Sequence, residues 1–129
     1  MQQLSVPGGP NNKPIGITDI YTPEEIEAYS VKFHAGVDQV KTTDFAYFVQ
    51  KGDDGLVKIG YTRNIKQRMQ SLKTKHGKDC ILRATRIGGR QREMAYHFQF
   101  AADCIEGEWF HPSEALLAEI ERLNAEGGK

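Results

Sequence analysis

The chain has 129 residues, 39% hydrophobic and 26% charged, which suits one domain with its own core and is too short for two independent ones. No stretch approaches a membrane span, and residues 1–10 have neither a basic n-region nor an apolar h-region, so neither a membrane segment nor a secretory signal is read. Cys80 and Cys104 stand far apart and outside any CxxC pair, so a disulfide framework is not indicated and a reduced, cytoplasmic protein is the simpler account.

Residues 1–16, rich in Gly, Pro and Asn, read as an irregular arm. Thr22-Pro23-Glu24-Glu25 then supplies a capping residue, a Pro at the first helical position and a Glu three residues after the cap. The helix so started runs to about His34, with Ile26, Tyr29 and Phe33 as its apolar stripe, and Gly36 ends it. Residues 45–49 and 56–59 are β-rich runs on either side of Gly52-Asp53-Asp54-Gly55, which predicts a hairpin. Thr62 or Asn64 caps the next helix, whose buried stripe is Ile65, Met69 and Leu72. At 100° per residue Arg68 falls about 60° from the centre of that stripe and can reach the hairpin, while Lys66, Gln67 and Lys73 point elsewhere.

Residues 80–87 read as a third strand closed by Gly88-Gly89, and 90–101 as a helix. Met94, Phe98 and Ala101 form one stripe of that helix, and Glu93, His97 and Phe100 an adjoining one. Residues 107–112 make a compact aromatic turn, and Ser113 caps a last helix that carries Leu116, Leu117, Ile120 and Leu123 and ends at Gly127-Gly128. The pattern predicts an α+β fold: a small three-stranded antiparallel sheet flanked by helices over 44–126, preceded by an N-terminal arm and helix over 1–43.

The formal net charge of zero conceals a division along the chain. Residues 1–40 hold 2 Lys or Arg against 5 Asp or Glu, residues 41–100 hold 13 against 5, and residues 101–129 hold 2 against 7. A basic centre between acidic ends is what a phosphate-binding surface would produce. Inside that centre stand Tyr47, Lys58, Tyr61 and Arg68. Phosphodiester cleavage asks for an activated water, a stabiliser of charge at phosphorus, and a cation for the leaving oxygen. A phenol near a Lys, with a helix-borne Arg close by, can supply the first two.

Phe45-Ala46-Tyr47, then ten residues, then Lys58-Ile59-Gly60, followed by Arg68 and the later Glu93, resembles the GIY-YIG nuclease superfamily over residues 45–110. More closely, Lys58-Ile59-Gly60-Tyr61-Thr62 together with Gly107-Glu108-Trp109-Phe110 is similar to a branch common in phage and bacterial proteins. The resemblance implies that Tyr47 is the first motif's Tyr, Arg68 the helix Arg, and Glu93 the ligand of a divalent metal, Mg²⁺ or Mn²⁺. Members usually carry Tyr at the position of Lys58, and some carry Lys at that of Tyr61, so the two types are exchanged between sites expected to face one pocket. Either Tyr47 or Tyr61, its pKa lowered by Lys58 or Arg68, is then the general base, with Tyr47 preferred. Gly60 reads as the small residue at a tight strand exit. His97, one turn beyond Glu93, assists at the metal, binds phosphate or is a satisfied half-buried histidine. Glu108 holds a turn or lies near the site as a second acid, and Trp109 and Phe110 fill core more often than they touch a ligand. A zinc site from Cys80, Cys104, His76 and His111 lacks ligand spacing.

The expected function is a metal-dependent endonuclease of low sequence specificity in a bacterial or phage-infected cell, acting on nucleic acid, DNA before RNA. Arg63, Lys66, Lys73, Arg86 and Arg90, with Arg83 and Arg92, are its candidate phosphate contacts. The alternative is the same fold without activity, used to bind nucleic acid or protein. A homo-oligomer formed through the arm and helix 23–34, with Tyr29 and Phe33 as its contact, is compatible with both.

Overall fold

The computed structural model describes residues 15–126, so all but the last two residues of the arm expected over 1–16, and the stop at Gly127-Gly128, lie outside the described residues. The fold is α+β, and its sheet is built on β1 (Phe45–Lys51). This strand pairs antiparallel with β2 (Val57–Thr62) from Phe45↔Thr62 to Gln50↔Val57, and on its other side with β3 (Cys80–Ile87). Successive side chains of a strand alternate between faces. Ala46 and Phe48 join Val57, Ile59 and Ala84 on one face, under Tyr96 and Phe100 of α4 (Gly89–Gln99) and Leu116, Ile120 and Leu123 of α5 (Glu114–Glu126). Tyr47 and Val49 face the other way, under Leu72 and Met69 of α3 (Ile65–His76). Cover on both faces is why residues 46–50 are all buried instead of alternating.

The sheet has five strands, in the order β3-β1-β2-β5-β4, where three were expected. The extra pair, β4 (Cys104–Glu106) and β5 (Trp109–Phe110), occupies the region read as an aromatic turn and is joined through Gly107 at φ +58°. Strands of three and two residues are too short to show a period of two, which is why the pattern missed them.

Ahead of the sheet come a single helical turn, α1 (Ile17–Ile20), and α2 (Pro23–Asp38). Thr22 caps α2 as expected, its hydroxyl accepting from the Glu25 amide at 3.1 Å while the Glu25 carboxylate accepts from the Thr22 amide at 2.9 Å. The helix passes through Gly36 to Asp38 and does not stop there, since Gly36 is not among the glycines in the left-handed region. Asn64 caps α3, accepting from the Gln67 amide at 3.0 Å. Ser113 caps α5, accepting from the Leu116 amide at 3.2 Å.

The largest departure is the buried face of α4. Met94 is 48% exposed, and the buried positions are Arg92, Glu93, Ala95 and Tyr96, with Phe100 just beyond the helix. Arg92, only 1% exposed, donates to the Ile87 carbonyl at 3.0 Å and the His34 carbonyl at 3.2 Å, and pairs with Asp38. Two charged residues on the buried side erase the hydropathy signal that marks it. Phe98, half-buried, packs toward Tyr21, Tyr29 and Phe33, with ring centroids 5.6, 6.5 and 6.4 Å away. Among the described residues no helix is long and apolar enough to cross a membrane.

Candidate functional site

The sheet register decides what faces what. Tyr47 lies directly across from Gly60, and a Cβ built on Gly60 would come within 2.5 Å of the Tyr47 hydroxyl oxygen and 2.6 Å of Cζ. The glycine therefore makes room for a phenol lying over the β2 backbone. It sits inside the strand, not at an exit from it as expected. Arg68 of α3 reaches in from solvent, with Nη1 3.5 Å from the Tyr47 hydroxyl. Burial pushes the Tyr47 phenol above its ordinary range, and the neighbouring Arg68 charge does not reverse this. The expected lowering of its pKa is thus corrected: desolvation of the phenolate outweighs the nearby cation.

Lys58 shares the Tyr47 face of the sheet. Its side chain is 15% exposed; Nζ donates to Glu108 Oε1 at 2.7 Å and lies 5.6 Å from the centroid of the Trp109 ring. Lys58 and Tyr61 are three residues apart on one strand, so they project from opposite faces and do not meet as an exchanged pair. Tyr61 nonetheless lines, with Asp44, Thr62, Arg63, Arg68 and Glu108, an open cleft of about 400 Å³ at the end of β2.

Glu108 joins the two faces. Strand β5 pairs β2 only at Val57 and Lys58, and the Glu108 carbonyl accepts from the Ile59 amide at 2.9 Å, so the β2 edge beyond Ile59 is open. From this corner the Glu108 carboxyl meets Lys58 on one side and the carboxyl of Glu93 on the other. Glu93, buried on α4, is pushed up to about 7 by desolvation first and then by the charge of and hydrogen bond with Glu108. Burial would raise Glu108 too, but the hydrogen bond and charge of Lys58 leave it below the ordinary carboxylate range. Of the two coupled carboxyls, Glu93 is therefore the one that keeps a proton, up to about pH 7, while Glu108 is ionised. His97 Nε2 lies 2.9 Å from the Ile59 carbonyl oxygen, a contact that requires Nε2 to carry its hydrogen, and 3.8 Å from Glu93 Oε2. Its ring also meets Phe110 edge-on at 4.9 Å, so this face of the imidazole is spent on the fold.

Sequence reasoning did not find Asp44, which lines the cleft from the segment before β1, and left Glu108 with two readings; no spacing marks the first. Of the candidate phosphate contacts, Arg63 is 81% exposed beside Asp44, and Lys66, Lys73 and Arg90 are exposed. Arg86 instead donates to the Tyr96 hydroxyl at 2.8 Å and lies 3.6 Å from Glu119, Arg83 donates to the Gln50 side chain at 2.9 Å, and Arg92 is buried as described.

The model of the T5orf172 domain family matches residues 44–124, the span that holds the sheet, α3, α4 and every residue of the cleft. The chain belongs to that family. This corrects the GIY-YIG resemblance: the match over most of the chain is to the T5orf172 domain, and the short motifs around Tyr47 and Lys58 are too brief to outweigh it. T5orf172 domains are nuclease-like and DNA-binding, which is consistent with nucleic-acid binding in general and does not by itself assign an activity. No curated protein and no solved structure matches the chain. Among the described residues of this T5orf172 domain, no cluster of three or more His, Cys, Asp or Glu could hold a metal ion, so a divalent cation at the cleft would rest on the Glu93 and Glu108 pair. Mg²⁺ is commonly held by one or two carboxylates with waters and substrate phosphate oxygens completing the shell; here Glu108 already carries Lys58, and Glu93 would have to release its proton.

Proposed function

We propose that this T5orf172 domain is a metal-dependent endonuclease that hydrolyses phosphodiester bonds with little intrinsic sequence specificity, on DNA before RNA. The observation that carries the reading is an open cleft lined by the Arg68 guanidinium and Glu108, with two buried groups directly behind them, the Tyr47 phenol 3.5 Å from Arg68 and the Glu93 carboxyl against Glu108. Arg68 binds a non-bridging phosphate oxygen and offsets the charge that develops on phosphorus. Tyr47, which keeps its proton, donates to the phosphate or to the leaving oxygen. Lys58 fixes the Glu108 carboxylate at the corner of the sheet. Glu93 and Glu108 would hold Mg²⁺ or Mn²⁺ once Glu93 has given up its proton, and the ion would supply Lewis-acid charge toward the scissile phosphate. Because these groups address the backbone, they carry no sequence information.

The test is incubation of the protein with plasmid, linear and single-stranded DNA and with RNA, in Mg²⁺, Mn²⁺ or EDTA. Metal-dependent cleavage is expected, with a fall of about 100-fold or more in Arg68→Ala and Glu93→Ala, the size typical of losing one charge-stabilising group. Absence of cleavage of every substrate by the intact protein would overturn the proposal. A second reading, a domain that binds without cutting, is favoured by one contact: the 2.7 Å Lys58–Glu108 pair already neutralises the more acidic of the two carboxyls. Salt-sensitive binding with no cleavage would select it.

A further inference from the structure

Beside the cleft, beyond the far side of Lys58, lies a second concavity of about 280 Å³ lined by Lys51, Leu56, His76, Ile105, Glu106 and Trp109. It is built where the end of β1, the last residue of α3 and the β4–β5 hairpin meet. Trp109 is half-buried, with the His76 ring edge-on at 5.1 Å. Leu56 and Ile105 leave 36% and 59% of their surfaces exposed, so this apolar rim faces water. Burial first, and then the positive charges of Lys58, Lys75 and Lys51, hold the His76 imidazole below its ordinary range.

We infer that this concavity receives an unpaired nucleobase, stacked against Trp109, of the strand whose phosphate occupies the adjoining cleft. The inference rests on the reading of that cleft as a phosphate site. Two features select a nucleotide over an aliphatic ligand. The half-buried Trp109 ring offers a π-face at the wall of the concavity, and base stacking on aromatic walls is sequence-tolerant. The concavity also neighbours the phosphate site, since Glu108 of the cleft and Trp109 of the concavity are consecutive in the chain and Lys58 Nζ bonds the first and stands over the ring of the second. Its volume, near the lower limit of roughly 300 Å³ for drug-sized ligand sites, admits one base and not a stacked duplex. The chemical class implied is a single-stranded or locally unpaired nucleic acid.

Trp109 is the only tryptophan, so its fluorescence reports this wall directly. The experiment is a titration of the intact protein, in EDTA to prevent cleavage, with a short oligothymidylate and with an oligonucleotide of the same length made entirely of abasic sites, at one ionic strength. The base-bearing strand is expected to quench Trp109 and to bind roughly 5- to 100-fold more tightly than the abasic one, the range that one stacked base commands. In Trp109→Leu, with folding checked by circular dichroism, and in Ile105→Ser at the exposed rim, labelled oligonucleotides should show that preference reduced while abasic binding is kept. Equal affinity of the intact protein for both strands, with Trp109 silent, would overturn the base site and leave the phosphate cleft standing. Binding of neither strand would overturn both.

Discussion

Gly60 and Tyr47 form the tightest steric relation in the site, and a single methyl group tests it. In Gly60→Ala the new Cβ would fall 2.5 Å from the phenol oxygen, so either the ring or the β2 backbone must move. Overpacking of this kind costs about 1–3 kcal/mol. The expected outcome is a urea midpoint lowered accordingly, and a smaller loss when the same change is made in Tyr47→Ala, since removing the ring removes the clash. Equal losses in both backgrounds would refute the relation. Glu93 allows a second prediction. Folded, it holds its proton up to about pH 7, against an ordinary value of 4.5, so between those limits the folded protein binds more protons than the unfolded one. Stability contributed by this group therefore falls as pH rises from 4.5 toward 7, by on the order of 3 kcal/mol, and stays lost above. In chelator, Glu93→Gln should flatten that decline in urea unfolding measured at pH 5 and pH 8; an unchanged slope would mean the carboxyl ionises normally. At this scale much was legible. Tyr47, Lys58 and Arg68 were marked by spacing around a hairpin and a helix start. The Glu93–Glu108 pairing was not, because it depends on a strand of two residues.

α4 is the element on which the site depends most, since it carries Glu93 and His97 inward while its outer side receives α2. The joint is Arg92, whose guanidinium binds the Ile87 carbonyl, the His34 imidazole and carbonyl, and Asp38, tying the end of β3 to α2. His34 Nδ1 accepts from Arg92 at 2.9 Å, and Nε2 then faces Gln99 Oε1 at 2.8 Å, so the arrangement needs a neutral imidazole. Burial first holds the His34 pKa down, which keeps it so. Arg92→Met would remove the guanidinium from the two carbonyls and leave Asp38 with only Arg86, 3.9 Å away. Removing one partner of a buried charged network costs about 3–5 kcal/mol, and the half-exposed Asp38 places this case at the lower end. Arg92→Lys should rescue little, because one ammonium cannot span donors set in a fork. Hydrogen exchange over 23–38 is expected to accelerate in both variants before exchange in β1; unchanged protection in α2 would overturn the assignment. A hydropathy reading chooses the wrong side of α4 for the same reason: Arg92 is counted as a surface residue until its four acceptors are seen.

Over the whole molecule the uneven charge is divided further by the fold. The basic centre counted along the sequence includes Arg83, Arg86 and Arg92, each of which is bonded within the sheet–helix framework. Arg63, Lys66, Arg68, Lys73 and Arg90 remain on the exposed surface of β2, α3 and the start of α4. Each phosphate contact contributes about 0.9 to the slope of log affinity against log salt on duplex DNA and about 0.7 on single strands. If those five carry the proposed binding, the slope should reach at most about −4.5 on duplex and −3.5 on a single strand, well short of what the composition of residues 41–100 suggests. Neutralising Arg63 or Lys66 to Gln should weaken binding for every sequence tested and reduce the slope by about one contact each. Arg83→Gln and Arg86→Gln should leave the slope unchanged and lower thermal stability instead, because their guanidinium groups serve Gln50, Tyr96 and Glu119. A slope that responds to Arg83 or Arg86 and not to Arg63 or Lys66 would move the nucleic-acid surface from the β2–α3 side to the β3 edge, where Arg83 and Arg86 line an open groove of about 570 Å³ against α5. The two sides of one sheet are thus separated by a measurement that needs no cleavage at all.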